Sequence, residues 1–126
     1  MTDARPRVLI VDDDERNVRL ARDLLERDGM RTLSAGTAAE AMALAREHLP
    51  DVILLDLRLP DLDGHEAMRR LAEDEQTAAI PVVGWSALPE RDVGAWLAGS
   101  GFAGYLEKPI DVLTLPDSVR GFAKVG

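Results

Sequence analysis

No cysteine occurs among the 126 residues, which excludes a disulfide framework and any thiolate metal site. No apolar run approaches the roughly 20 residues that a membrane-spanning helix needs. Met1 to Arg7 is polar and lacks the apolar core of a secretory signal. Basic residues are the minority, 15 against 23 acidic, for a net charge of −8. Binding to a phosphate backbone needs a basic surface, so direct nucleic-acid binding is not expected as a main activity. There is no internal repeat, low-complexity tract or linker. The expected setting is cytoplasmic, with no membrane and no nucleic acid among the partners.

What is present suits one folded unit. A hydrophobic content of 46% is normal for a globular domain, and the length allows one domain but not two. The whole chain, residues 1–126, therefore reads as a single domain with an ordered core over about 6–124 and no attached output domain. The stretch Asp51 to Gly64 organises it. Val52 to Leu55 is a short apolar run of the kind that a strand buried on both faces requires, and it ends on Asp56. Pro60 then stops the ladder, and Asp61 to Gly64 is turn chemistry leading into a helical pattern.

The same alternation runs along the chain. Arg7 to Val11 is β-branched and apolar and ends on Asp12-Asp13-Asp14. Val18, Ala21, Leu24 and Leu25 predict a helix over about 15–28, closed by Gly29. Arg31 to Ala35 reads as a weaker strand near an edge. Thr37 and Glu40 form a capping box for a helix through Ala38, Ala41, Ala45 and Leu49. Asp63 and Glu66 open a third helix. Ile80 to Trp85 reads as a fourth strand ending on Ser86, and Pro89 to about Ser100 as a fourth helix with Val93, Trp96 and Leu97 on its apolar stripe. Gly101 to Leu106 holds a fifth strand, and Thr114 caps a last helix that Pro116 and Gly121 weaken. Five strand–helix alternations with short connections imply an α/β fold: one doubly wound, five-stranded parallel sheet with five flanking helices.

In such a sheet the C-terminal strand tips share one edge, where open α/β sheets keep their functional groups. The tips bring Asp12, Asp13, Asp56, Ser86 and Lys108 together. Singly, each has a bland reading as a turn cap or a solvated charge. Jointly, three carboxylates would repel and raise each other's pKa unless a cation sat among them. Oxygen donors without His or Cys point to Mg²⁺, with Mn²⁺ as an alternative. A lysine and a hydroxyl across the same edge suit a phosphoryl group, and a carboxylate nucleophile would form an aspartyl-phosphate.

With these residues the chain resembles the receiver domain of two-component response regulators. The features that match are Asp12-Asp13 after the first strand, Asp56 with Pro60 and Asp63-Gly64, Ser86-Ala87, and Tyr105 with Lys108-Pro109. The resemblance covers Arg7 to about Lys124. It implies a flavodoxin-like strand order of 2-1-3-4-5 and a signalling switch rather than a turnover enzyme. Asp56 would be the phosphoacceptor. Asp13, Asp56 and the backbone carbonyl of Arg58 would ligate Mg²⁺, with Asp12 acting through a water. Lys108 would contact the phosphoryl group, Ser86 would move to bond it, and Tyr105 would swing inward in response. The implied partners are a histidine kinase or phosphotransfer protein and a downstream protein, with a homodimer through the last two helices as one arrangement.

Some residues depart from the family pattern. Ser86 replaces the commoner Thr, which keeps the hydroxyl. Gly84-Trp85 is unusual at the end of the fourth strand; the bland reading packs Trp85 between sheet and helix, with Gly84 making room. Arg58 and Leu88 stand where phosphoryl lifetime is tuned in such domains. His48 and His65 read as surface residues, not phosphodonors. Two other classes compete. Asp12-x-Asp14 after an apolar strand matches the first motif of haloacid-dehalogenase-type phosphohydrolases, although Arg16 and the lack of a late acidic pair argue against it. A receiver-like interaction module that is never phosphorylated would not need three carboxylates facing one lysine. A flavodoxin-like cofactor carrier would need a Thr/Ser/Gly-rich phosphate loop after the first strand, and none is there.

Overall fold

A computed structural model of the chain describes residues 5–97 and 99–123. The elements alternate as β1 (Arg7–Val11), α1 (Glu15–Arg27), β2 (Arg31–Ala35), α2 (Ala38–His48), β3 (Val52–Asp56), α3 (Gly64–Glu73), β4 (Val82–Ser86), α4 (Glu90–Leu97), β5 (Gly104–Glu107) and α5 (Leu115–Phe122). The strands form one parallel sheet in the order β2-β1-β3-β4-β5, as expected. Central β3 is buried at every position, while β2 on the edge is fully buried only at Ala35.

The period of two along each strand divides the core. Leu9, Val11, Ile53 and Leu55 face α2 and α3, where Ala41, Ala45, Ala67, Met68 and Leu71 meet them. The alanines of α2 let its backbone lie close to the sheet. Val8, Ile10, Leu54, Val83 and Trp85 face the opposite layer, made by Val18, Ala21 and Leu25 of α1 and Leu115 and Val119 of α5. Trp85 is fully buried there. Burying an indole of this size contributes on the order of 4–6 kcal/mol. A small third cluster joins Leu57, Val93 and Tyr105, with Phe102 against it.

Thr37 and Asp63 hold the caps predicted for them, and Asp14, for which no cap was predicted, does the same for α1. Asp14, Thr37 and Asp63 accept from the amides of Arg16, Glu40 and Glu66. The Glu40 carboxylate also reaches back to the Gly36 amide at 2.9 Å. Gly29 closes α1 in the left-handed region at φ 88°.

Several boundaries differ from expectation, each for a local reason. Leu49 is not part of the α2 face: it is the cap after His48, in left-handed geometry at φ 47°, and is exposed. Strand β4 starts at Val82 because the Ile80 amide closes a turn onto Thr77 and Pro81 has no N–H. Helix α4 ends at Leu97, ahead of Gly99 at φ 81°, and Gly101 at φ 95° delays β5 to Gly104. The side chain of Trp96 lies outside the described residues, as does Lys124. In α5, Thr114 holds the N-cap position without a side-chain bond, and Pro116 sits in the first turn, where a missing N–H is harmless.

Candidate functional site

The connections leaving β1, β3, β4 and β5 converge on one cavity of about 390 Å³. Asp12, Asp13, Asn17, Asp56, Arg58, Ser86, Leu88 and Lys108 are among its lining residues. A larger groove, about 510 Å³, runs between α1 and the β2–α2 turn; it reaches Asp12 and Asp13 but neither Asp56 nor Lys108. Six of the seven residues named from the sequence thus share one cavity. Tyr105 lies beneath it.

Asp56 is the last residue of β3 and is buried, as is Asp12 beyond β1. Asp13 is exposed. One carboxylate oxygen from each of these three residues falls within 4.8 Å of the others. An all-oxygen set of this size fits a hard divalent cation such as Mg²⁺, which keeps several waters beside one or two carboxylates. Arg58 donates its amide to Asp56 Oδ1 at 2.9 Å and pairs across the loop with Asp63. That short bridge ties the loop after β3 to the start of α3. Gly64 is required there, since a Cβ on it would stand 2.7 Å from the Leu57 backbone.

Lys108 supplies the counter-charge. Its Nζ lies 2.8 Å from Asp12 Oδ2 and 3.2 Å from Asp56 Oδ2. Burial pushes the Asp56 carboxyl above its ordinary range; the Arg58 amide and the Lys108 ammonium pull it back, and the Asp12 charge adds to the rise. For Lys108, burial disfavours the ammonium, but the Asp12 hydrogen bond and the charges of Asp56 and Asp12 outweigh it, so its pKa is raised. Proton affinity is therefore raised on both partners, and the ammonium stays charged beside Asp56.

Ser86 ends β4, buried, with its Oγ accepting from the Leu88 amide at 3.2 Å. Tyr105 is already turned inward. Its hydroxyl donates to the Ser86 carbonyl at 3.2 Å and also to the Leu88 carbonyl. The inward swing expected of Tyr105 therefore has no further distance to cover in this conformation. The room comes from Gly84, which lies against Leu57, Phe102 and the Tyr105 ring. The expectation that Gly84 makes room for Trp85 is corrected by strand alternation: the two residues face opposite layers.

The roles of Asn17 and Asp61 escaped sequence reasoning, and Leu88 and Trp85 were singled out without the contacts they make. Asn17 Nδ2, in the first turn of α1, donates to Asp12 Oδ2 at 3.3 Å. Leu88 meets both Ser86 and Tyr105 through its backbone, which no side-chain pattern could announce. Asp61, in the loop after β3, accepts from the Ala38 and Ala39 amides at 2.9 and 3.1 Å and so caps α2. Trp85 lies under Lys108, with Nζ 4.6 Å from the ring centroid. In contrast, the Asp14 carboxylate that a haloacid-dehalogenase reading requires is turned to the Arg16 amide, outside the carboxylate triplet.

Fold and site together define a doubly wound α/β domain with an acidic centre at its strand tips. The chain belongs to the response regulator receiver domain family, whose model matches residues 8–120. It is 36% identical over 115 residues to the "Polar-differentiation response regulator DivK" of Brucella ovis, covering 91% of this chain and 94% of that protein. Among solved structures, the Francisella response regulator 1452 receiver domain is 30% identical with a TM-score of 0.84, covering 94% of this chain and 96% of that one. The chemotaxis response regulator CheY4 of Vibrio cholerae superimposes with a TM-score of 0.86 at 24% identity, covering 94% and 98%, and speaks to the fold alone.

Proposed function

We propose that the chain is a phosphoacceptor switch, with Asp56 as the acceptor and with Asp13, Asp56 and the Arg58 carbonyl as the groups that would hold Mg²⁺, Asp12 acting through a water. The observation that supports this reading best is the Asp56 carboxylate, set between two further acids and the Lys108 ammonium at 3.2 Å. A bound divalent ion would neutralise charge on the incoming phosphoryl oxygens. The rest belongs to side chains of this domain.

An Asp56 oxygen attacks phosphorus as the bond from phosphorus to the donor's imidazole nitrogen breaks; the donor keeps that electron pair and later takes a proton from water. Lys108 neutralises a phosphoryl oxygen, and the Ser86 hydroxyl donates to another after leaving the Leu88 amide. Because Tyr105 bonds the Ser86 and Leu88 carbonyls, movement of this tip alters how α4 and β5 are held. That change in protein contacts is the output. The donor is a histidine kinase or phosphotransfer protein and the listener another protein, with direct nucleic-acid binding disfavoured by the net charge of −8. A cytoplasmic setting suits such a switch, and no helix among the described residues is long and apolar enough to cross a membrane.

The test is incorporation of phosphate from a small phosphodonor such as acetyl phosphate. Labelling should require Mg²⁺ and vanish in Asp56→Asn. Stable labelling unaffected by that substitution would overturn the proposal. Turnover of a phosphomonoester lost in Asp12→Asn but kept in Asp56→Asn would favour a phosphohydrolase instead.

A further inference from the structure

Trp85 and Asp56 are register partners on neighbouring strands, and Leu106 is the partner of Trp85 on the other side. In a parallel sheet such partners point to the same face, and Lys108, two residues past Leu106, continues that row. Its side chain extends over the indole, with Nζ 4.6 Å from the ring centroid. This is within the ~6 Å at which an ammonium is attracted to an aromatic face, and among side chains indole binds cations best.

The identity of residue 85 needs a reason beyond filling space. The indole is fully buried, yet its Nε1 has no hydrogen-bond partner among the described residues. A leucine or phenylalanine would fill apolar volume here without stranding a donor. What tryptophan adds is a ring face under Lys108 that leucine lacks and that attracts an ammonium more strongly than the ring of phenylalanine does.

We infer that Trp85 is a positioning residue for Lys108, its indole face seating the ammonium beside Asp56 when the carboxylates are engaged elsewhere. Lys108 is held by Asp12 and Asp56 at 2.8 and 3.2 Å, and the ring is one of three holds. Carboxylates coordinated to a dication attract the ammonium far less, and the dication repels it. The ring is then the hold that metal binding does not weaken. It resists loss of the side chain to solvent, so Lys108 remains in place to meet a phosphoryl oxygen. The ring thus matters more to the metal-loaded, phosphoryl-accepting state than to the free one, as any effect on that equilibrium requires.

The inference rests on the phosphoacceptor reading of Asp56, and the experiment separates the two. Beryllofluoride binding is titrated at saturating Mg²⁺ in wild type, Trp85→Phe and Trp85→Leu, with Trp85→Met in place of Leu should that variant not fold. Affinity should fall about threefold in Phe and about tenfold in Leu or Met, following the strength of the ring face. Mg²⁺ affinity alone, by calorimetry, should stay within about twofold or tighten, because the ring opposes departure of a like charge from the metal. Against Lys108→Met, the Trp85 substitutions should have no further effect. In the metal-free protein the Lys108 Cε protons should be shifted upfield by the ring current, and should lose that shift in Leu or Met but not in Phe. Parallel losses of Mg²⁺ and beryllofluoride affinity, equal losses in Phe and Leu, or an effect that persists in Lys108→Met would overturn the seat. Wild type that binds no beryllofluoride would overturn the phosphoacceptor reading instead, and the upfield shift then decides whether the seat exists.

Discussion

Gly84 and Tyr105 are register partners on β4 and β5, and a Cβ built on Gly84 would stand 3.3 Å from Cδ1 of the Tyr105 ring. The same Cβ would also stand 3.3 Å from Cδ2 of Leu57. The inward tyrosine therefore depends on a glycine in a strand that otherwise favours bulk. Gly84→Ala should change stability by less than about 1 kcal/mol, since the entropy gained by removing glycine offsets mild crowding. Gly84→Val should cost about 1–3 kcal/mol and drive the ring outward. Denaturant unfolding gives the first quantity, and solvent-perturbation absorbance of the single tyrosine gives the second. A valine variant with Tyr105 still inaccessible would contradict the packing argument.

Asp56 should weaken the metal-free fold at neutral pH. Its carboxyl is raised in the native state, chiefly by burial, so the native state holds this proton more tightly than the unfolded chain does. Below the unfolded value, about 3.9, both states are protonated and nothing is lost; as pH rises through the native value, the charge costs stability. In EDTA, Asp56→Asn should therefore melt higher than wild type at pH 7, and the difference should close toward pH 4. Divalent metal reverses the order. At a hundredfold excess over Kd, wild type should gain about 2.7 kcal/mol, and the variant, short of one ligand, much less. Equal melting of the two proteins at pH 7 in EDTA would remove the burial argument.

How far the sequence reached can be judged from these same residues. Strand β3 was legible to the residue because a continuous apolar run between Asp51 and Asp56 admits one reading. The strand order followed from the resemblance to receiver domains, and the gathering of Asp12, Asp13, Asp56, Ser86 and Lys108 in one cavity from parallel topology. Facing was harder. Gly84 and Trp85 are adjacent in sequence, and only the register settles that one serves Tyr105 and the other Lys108. Backbone-borne roles, such as the Leu88 carbonyl, leave no side-chain signature. Contacts between loops distant in sequence, such as Asp61 with Ala38, are equally silent in any local window.

Asp61 ties the loop after β3 to α2. Its carboxylate accepts from the Ala38 and Ala39 amides, and these bonds hold its pKa below the ordinary carboxylate value. A lowered carboxyl contributes stability above its unfolded pKa and loses it as pH falls through the native value, so the contribution should fade below about pH 4. Asp61→Ala should cost about 1 kcal/mol at pH 7, and Asp61→Asn less, because the amide oxygen still caps. Hydrogen exchange should quicken first at Ala38 and Ala39. Unchanged protection there would show that Thr37 caps the helix without help.

The last helix is marginal by its own sequence, and its anchor lies on α1. Arg120 donates from Nη2 to Asp28 Oδ2 at 2.8 Å and to the Asp28 carbonyl at 2.6 Å, with Nε 3.3 Å from the same Oδ2. These contacts join the C-terminal ends of two helices, where a guanidinium also complements the helix dipole of α1. Both side chains are substantially exposed, so the ion pair itself is weak. The bond to the carbonyl does not depend on the Asp28 charge. Arg120→Ala should therefore cost about 1 kcal/mol and Asp28→Asn only a few tenths, and high salt should reduce the first cost only in part. Amide exchange in α5 reports the same hierarchy without global unfolding. Equal costs in the two variants, abolished together by salt, would mean that the charge pair and not the carbonyl bond holds α5 in place.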